Sequence, residues 1–156
     1  MGEILTLSAV RKWRDSNPGA LVVTNGCFDI LHYGHVVCLK ASRELGCKLL
    51  VGVNSDRAVR LLKGATRPVN AEFSRMFILS ELRCVSAVCL VDDTCMADFI
   101  RAARPAIWAK GGDYALDTLN SLEVAAAREV QAEIHIVPLV PGYSTSDVLM
   151  NHRRAT

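Results

Sequence analysis

The sequence predicts an α/β domain in which helices cover both faces of a five-stranded parallel sheet, a three-layer, doubly wound arrangement. Short runs of apolar and β-branched residues alternate with segments of helical period, and this alternation requires crossover connections between parallel strands. The predicted strands are apolar throughout, which is typical of strands buried on both faces. The chain has 156 residues, of which 51% are hydrophobic, and this suits a single domain with a sizeable core.

Helix-ending and helix-starting residues define the elements of the first half. Asn17-Pro18-Gly19 ends the first helix, Gly46 ends the second, and Asn70 is a suitable N-cap for the fourth. In chain order, we predict a helix over 6–16, a strand over 20–24, a helix over 35–45 whose first turn begins near Tyr33, a strand over 48–53, and helices over 56–62 and 70–83.

The same alternation continues in the second half. Pro105 limits the first helix there, because the residue before a proline avoids the helical conformation. In chain order, we predict a strand over 86–91, a helix over 95–103, a strand over 106–109, a helix over 121–131, a strand over 133–138 and a helix over 145–152. Residues 1–19 are then an N-terminal helix and linker, and 20–152 are the core of one domain spanning 1–156.

Composition excludes several classes of protein. The net charge of +2 gives no reason to expect a nucleic-acid partner, which usually requires a strongly basic face. We find no signal peptide and no apolar stretch long enough to cross a membrane, so we expect no membrane association and a cytoplasmic protein. The six cysteines form no CxxC pair, which favours reduced, partly buried thiols over disulfides or a zinc site.

Polar segments follow four of the five predicted strands, at the sheet edge where open parallel sheets bind ligands. They are "NGCFDILHYGH", "NSDRAVRLLKG", "KGGDY" and "PGYSTSD".

In the first of these segments, His32 and His35 lie at a predicted helix start, where free amide groups and the helix dipole favour an anion. Gly26 allows a sharp turn, and Gly34 leaves room for a phosphate. The alternatives are an ordinary solvated helix start or a metal pair, although no third metal ligand is near.

The other post-strand segments contain further candidates. Lys63, Arg67 and Arg75 are either solvated surface charges or a clamp for a triphosphate. Asp113 in "KGGDY" follows a tight glycine turn and could hold a ligand hydroxyl or a metal-bound phosphate. Ser144 or Thr145 is either the N-cap of the last helix or a phosphate ligand.

Two motifs resemble those of a known family. "GCFDILHYGH" resembles the GxFDxxHxGH signature of the cytidylyltransferase-like nucleotidyltransferases, and "YSTSD" resembles their second signature. Between them, "VGVNSDRAVRLLKGATRPVNAEFSRMFILSEL", "KGGDY" and "NSLEV" are similar to the adenylyltransferase part of ADP-heptose synthases. The resemblance covers residues 20–152 and implies the Rossmann-like HxGH nucleotidyltransferase fold. In many bacteria this part follows a sugar kinase. This sequence contains no kinase segment, so we expect the stand-alone form here.

The resemblance implies transfer of AMP from ATP to D-glycero-β-D-manno-heptose 1-phosphate, giving ADP-heptose and pyrophosphate for lipopolysaccharide precursors. It assigns the chemistry to His32, His35 and Lys63, with Asp29 stabilising the loop. It also implies Mg²⁺ carried by ATP, and a homodimer. The implied nucleotide-binding residues are Asn25, Gly26, Cys27, Phe28, Gly34, Lys110, Gly111, Asp113, Ser144 and Thr145, and the implied acceptor-binding residues are Asn54, Arg67, Arg75 and Glu123.

The sequence departs from the family pattern at several positions. Asn120 stands where ADP-heptose enzymes commonly have glycine, and Ser146 replaces the final threonine of the second signature. "LVPG" lacks the arginine that glycerol 3-phosphate cytidylyltransferases have before this signature, which argues against that relative. The alternatives are a related enzyme acting on glycerol 3-phosphate with CTP or on FMN with ATP, and a nucleotide-binding regulatory domain without activity.

Overall fold

Six parallel strands form one sheet in the computed structural model, which describes residues 1–112, 118–138 and 140–143. The strands are β1 (Glu3–Leu5), β2 (Leu21–Gly26), β3 (Lys48–Asn54), β4 (Ala87–Val91), β5 (Ile107–Gly111) and β6 (Glu133–Val137). The prediction of five strands is therefore wrong by one, because β1 pairs with β4 and extends the sheet at its edge. A three-residue edge strand is too short to leave a periodic pattern in the sequence.

Helices connect the strands, as predicted. They are α1 (Leu7–Ser16), α2 (Tyr33–Glu44), α3 (Asp56–Lys63), α4 (Glu72–Ser80), α5 (Ala97–Ala103) and α6 (Ser121–Glu129). The predicted helix over 145–152 lies outside the described residues. The predicted cap of α4 is wrong: the N-cap is Ala71, because the side chain of Asn70 donates instead to the carbonyl oxygen of Asp29 at 2.6 Å.

The sheet lies between two layers of helices. Val22 and Val23 are neighbours in β2, and each is buried in a different one of the two hydrophobic clusters, because successive side chains of a strand point to opposite faces. One cluster includes residues of α1, α5 and α6, and the other includes residues of α2 and α4. This explains why the strands are apolar throughout. Within the described residues, no helix is both long and apolar enough to cross a membrane.

The strand order places a crevice at the centre of the sheet. The order is β1-β4-β3-β2-β5-β6, so the chain runs outward from β2 through β3 and β4, then returns to add β5 and β6 on the other side. Ligands in open parallel sheets bind at such a reversal, beyond the carboxyl ends of the strands. Here those ends are Asn25-Gly26 of β2 and Lys110-Gly111 of β5.

Candidate active site

A cleft of about 610 Å³ opens at the reversal of strand order. It is lined by residues of the β2–α2 loop, the C-terminal end of α3 and the start of α6. The predicted site residues that line it are Asn25, Gly26, Cys27, Phe28, His35, Asn54, Lys63, Arg67, Lys110 and Glu123. The structure therefore brings together most of the candidates that come from separate post-strand segments.

The remaining candidates are placed differently. His32 packs against His35, with 3.8 Å between ring centroids, and Gly34 is buried beside both. Gly111 packs against Cys38, where a side chain on the glycine would overlap the sulfur. Asp113, Ser144 and Thr145 lie outside the described residues.

Two hydrogen bonds join the two histidines at the start of α2. The backbone N–H of His35 donates to the carbonyl oxygen of His32 at 3.0 Å, and the backbone N–H of His32 donates to Nδ1 of His35 at 3.4 Å. Because Nδ1 accepts this bond, a neutral His35 carries its proton on Nε2. His35 lines the cleft, so this proton is a hydrogen-bond donor for an anion there.

Burial keeps His35 uncharged in the free protein. Desolvation, followed by the proximity of His32, lowers the pKa of His35 from 6.5 to about 4. A phosphate in the cleft would bring negative charge to the ring and raise the pKa again. His35 is thus neutral in the free protein, and an anion in the cleft would favour its protonated form.

Gly34 lies between the histidines for steric reasons. A Cβ added to it would lie 3.1 Å from Cβ of Tyr143 and 3.2 Å from Nδ1 of His32. The ring of Tyr143 also contacts that of Tyr33, with 4.9 Å between centroids. The absence of a side chain at Gly34 therefore allows Tyr143 to pack directly against the start of α2.

The loop after β2 is held in a strained conformation. Phe28 has a φ of +47°, a region that non-glycine residues seldom adopt. The neighbouring Asp29 is buried, accepts from the backbone N–H groups of Val69 at 2.7 Å and Asn70 at 3.0 Å, and forms an ion pair with Arg67. As predicted, Asp29 stabilises the loop.

Arg75 supports the same loop from behind. Its side chain is 1% exposed and does not line the cleft. The guanidinium donates to the carbonyl oxygens of Cys27 and Asn70 and pairs with Asp56 at 2.8 Å. Of the cations considered as a triphosphate clamp, Lys63 and Arg67 therefore reach the cleft and Arg75 does not.

The opposite wall contains a buried ion pair. Nζ of Lys110 lies 3.6 Å from a carboxylate oxygen of Glu123, and the two side chains are 14% and 7% exposed. The other carboxylate oxygen of Glu123 accepts from the N–H of Met96 at 2.9 Å. Lys110 also lies over the ring of Trp108, whose indole N–H donates to Asn25 at 2.9 Å. These contacts fix the cleft wall to the core.

Several lining residues were missed by the sequence analysis, among them Thr94, Thr118 and Leu119. Thr94 follows β4, so the rule that located the other candidates would have found it if applied to that strand. Asn120, noted only as a departure from the family glycine, has a φ of −58° and accepts from the N–H groups of Leu122 and Glu123. It is the N-cap of α6, and no glycine is needed there.

Among the residues that the structure describes, the thiols and acidic groups near the cleft do not form a metal centre. Among the described residues, no group of three or more His, Cys, Asp or Glu side chains could hold a metal ion. Cys27 lines the cleft, and burial raises the pKa of its thiol although Lys63 acts in the opposite direction. All six cysteines are free thiols.

The family follows from a comparison with known proteins. A model of the family described as cytidylyltransferase-like matches residues 23–151. The chain belongs to this family. The predicted resemblance and the predicted class of enzyme, a nucleotidyltransferase, are confirmed.

Similar curated proteins cover almost the whole chain. The bifunctional protein HldE of Koribacter versatilis and that of Methylobacillus flagellatus are each 42% identical to it over 146 residues, which is 92% of this chain. HldE of Hyphomonas neptunium is 40% identical over 143 residues. The chain spans only 29% of the length of each of these relatives.

Two solved structures share the fold. A lipopolysaccharide core biosynthesis protein from Thermoplasma volcanium is 29% identical, with a TM-score of 0.64 over 79% of this chain and 98% of that one. Pantoate-beta-alanine ligase from Francisella tularensis has a TM-score of 0.63 over 98% of this chain and 77% of that one. At 13% identity, the second likeness shows the fold alone.

Proposed function

We propose that the protein transfers AMP from ATP to D-glycero-β-D-manno-heptose 1-phosphate, releasing pyrophosphate and forming ADP-heptose. The observation that supports this most directly is the position of His35, whose Nε2 donor shares one cleft with Lys63 and Arg67 at the reversal of strand order. Cations and hydrogen-bond donors around one cleft are what a reaction between phosphate groups requires.

The proposed reaction is a direct displacement at the α-phosphorus of ATP. An oxygen of the sugar phosphate attacks, the bond from the α-phosphorus to the bridging oxygen breaks, and pyrophosphate leaves. The attacking oxygen is already ionised near neutral pH, so no general base is needed. His35, supported by His32, donates to the phosphate oxygens on which charge develops, and Lys63 neutralises phosphate charge.

Other assignments extend this proposal to the substrates. The backbone of Gly26, Cys27 and Phe28 lines the path of the nucleotide. Asp113 would approach the ribose or the metal-bound phosphates, and Ser144 and Thr145 would hold nucleotide phosphates. Asn54, Arg67 and Glu123 are proposed for the acceptor, whereas Arg75 acts through the loop that it supports.

We propose that Mg²⁺ reaches the cleft bound to ATP. The lack of a cluster of metal-ligating side chains among the described residues fits an ion held mainly by the triphosphate. When bound, the ion would neutralise charge on the β- and γ-phosphates. The chain's own residues would position those phosphates.

The choice of acceptor rests on sequence similarity. The match to HldE proteins over 92% of this chain and the likeness to a lipopolysaccharide core biosynthesis protein favour a heptose phosphate over glycerol 3-phosphate or FMN. The segment at 138–142 also lacks the arginine typical of glycerol 3-phosphate cytidylyltransferases. We further propose that the protein acts in the cytoplasm, where ATP is available.

An acceptor screen tests this proposal. The protein is incubated with Mg²⁺ and each of the pairs ATP with heptose 1-phosphate, CTP with glycerol 3-phosphate, and ATP with FMN, while pyrophosphate release is measured. We expect the highest kcat/KM for the first pair, with ADP-heptose identified by mass spectrometry. A higher value for another pair would contradict the acceptor, and no release with any pair would favour the regulatory domain.

We also propose that two copies associate through the exposed face of α4. Phe73 and Phe77 stack with 6.3 Å between centroids and are 69% and 47% exposed, and Ile78 beside them is 45% exposed. Such apolar surface is typical of interaction sites, and a two-fold contact would bury the same face on both copies. Sedimentation should show a dimer that Phe73→Glu converts to a monomer. A monomeric unmodified protein would contradict this.

A further inference from the structure

The cleft has two chemically different ends. The α3 end contains Lys63, His35 and the ion pair of Arg67 with Asp29. The other, here called the α6 end, is formed by Thr94, Lys110, Thr118, Asn120 and Glu123. Thr94 belongs to the segment before α5, and the remaining residues come from β5 and the start of α6. These two segments of the α6 end are joined because the backbone N–H of Met96, two residues after Thr94, donates to Glu123.

The charge of the α6 end is balanced internally. The carboxylate of Glu123 pairs with the ammonium of Lys110, and both side chains are largely buried. At the α3 end, by contrast, Lys63 is exposed and has no acidic partner among the described residues. A phosphate dianion is therefore attracted to the α3 end, whereas at the α6 end it would compete with Glu123 for Lys110 and be repelled by the carboxylate.

The polar atoms of the α6 end are held in fixed positions. The side-chain oxygen of Asn120 accepts from two backbone N–H groups of α6, which leaves its amide N–H₂ as a donor. Glu123 accepts from the backbone N–H of Met96 and forms an ion pair with Lys110, and each carboxylate oxygen can accept a further bond. The hydroxyl of Thr94 donates to Asp93 at 3.4 Å and keeps its lone pairs. Fixed donors and acceptors thus lie side by side.

A mixture of donors and acceptors without net charge suits hydroxyl groups, because each hydroxyl both donates and accepts. We propose that the α6 end binds the neutral, polyhydroxyl part of the acceptor, and that Glu123 excludes acceptors that have a second phosphate on that part. This rests on the proposed transfer to a sugar phosphate. The single phosphate of the acceptor then lies at the α3 end, where it meets the α-phosphate of ATP.

The exclusion is tested with two acceptors. Pyrophosphate release is measured with the best monophosphate acceptor among heptose 1-phosphate, mannose 1-phosphate and glycerol 3-phosphate, and with the corresponding bisphosphate. We expect the unmodified protein to prefer the monophosphate at least about 100-fold in kcat/KM, and Glu123→Gln to reduce this preference at least about 10-fold. Equal use of both acceptors by the unmodified protein, or an unchanged preference in Glu123→Gln, would overturn the proposal.

A second pair of variants avoids the buried ion pair. Asn120→Ser keeps an uncharged N-cap oxygen for α6 but removes the amide donor, and Thr94→Val removes only a hydroxyl. We expect each to raise the KM of the acceptor about 3- to 10-fold while the KM of ATP stays constant. If the KM of ATP rises instead, and the effect disappears with 2′- or 3′-deoxy-ATP, the α6 end binds the ribose and the proposal is wrong.

The results separate this inference from the proposed function. Transfer to a sugar phosphate, with an unchanged preference in Glu123→Gln or an unchanged KM of the acceptor in both other variants, would overturn the inference alone. No transfer to any of the three monophosphates would overturn both. Circular dichroism of each variant verifies that it is folded.

Discussion

The backbone N–H of His32 donates to Nδ1 of His35, so the neutral ring of His35, which lines the cleft, carries its proton on Nε2. The contact explains why two histidines at this spacing suit a phosphate site. One residue supplies a backbone donor that fixes the tautomer of the other, and the second supplies the donor that meets the ligand. The rings lie 3.8 Å apart, so the two side chains pack directly against each other.

The position of the donor can be tested at His35 with two amides. In His35→Gln the amide nitrogen lies near the position of Nε2, and in His35→Asn it lies near that of Nδ1. Since the proposed donor is Nε2, we expect Gln to retain at least about 10 times more kcat than Asn, and both to change the Kd of ATP much less than kcat. Equal loss in the two variants would contradict the assignment of Nε2.

The titration of His35 should depend on the ligand. With a pKa of about 4, its ring proton signal should not titrate between pH 8 and 5 in the free protein, and added ATP should move the midpoint upward. Nuclear magnetic resonance measures both, with His35→Gln to identify the signal. A free-protein midpoint near 6.5 would contradict the effect of burial.

The same shift predicts how stability depends on pH. Between pH 6.5 and 4 the unfolded chain binds a proton on this residue that the folded protein does not bind. The free energy of unfolding therefore falls as the pH is lowered through this window. Denaturant titrations should show a smaller fall in His35→Gln, and an identical fall would mean that His35 is not the source.

Lys63 and Arg60 form a matched pair on one helix. Both are exposed cations of α3, but Lys63 lines the cleft and Arg60 lines a separate cavity with Ser55 and Glu72. Because a charge-assisted bond to phosphate would be lost, we expect Lys63→Ala to lower kcat/KM about 10- to 100-fold. Steady-state kinetics should show little change in Arg60→Ala, and similar losses in both would indicate a general effect of charge.

Asp29 should affect both stability and turnover. Asp29→Asn keeps the shape of the side chain but leaves Arg67 without its buried partner, so we expect unfolding to become easier by about 3 kcal/mol. Turnover should also fall, because the strained loop around Phe28 loses a support. Asp98→Asn removes an exposed pair with Arg101 and is the control, with little measurable change expected. Wild-type stability of Asp29→Asn would contradict this account.

The sequence predicted the central sheet because its pattern is strong there. Val22 and Val23, or Leu50 and Val51, are adjacent apolar residues that only a strand between two layers can bury together. The rule that ligands bind after such strands then located His35, Lys63 and Lys110 in one cleft without knowledge of the coordinates.

Long-range contacts account for what the sequence analysis missed. Arg75 has helical spacing like any surface cation, and only the folded chain reveals that its guanidinium is surrounded by Cys27, Asn70 and Asp56. Asn70 is a good N-cap by residue type, yet it bonds to Asp29, which is 41 residues earlier in the chain. Local propensity cannot anticipate such competition between partners.

Trp108 gives the cleft an intrinsic optical reporter. The protein has two tryptophans, and Trp13 lies in α1, bonded to Glu3 rather than to any residue of the cleft. Trp108 is fully buried beneath the cleft, with its indole N–H on Asn25 and the ammonium of Lys110 over its ring. In a Trp13→Phe protein, emission would come from this one indole. Changes in its wavelength or intensity would then follow the occupancy of the cleft directly, without a labelled substrate.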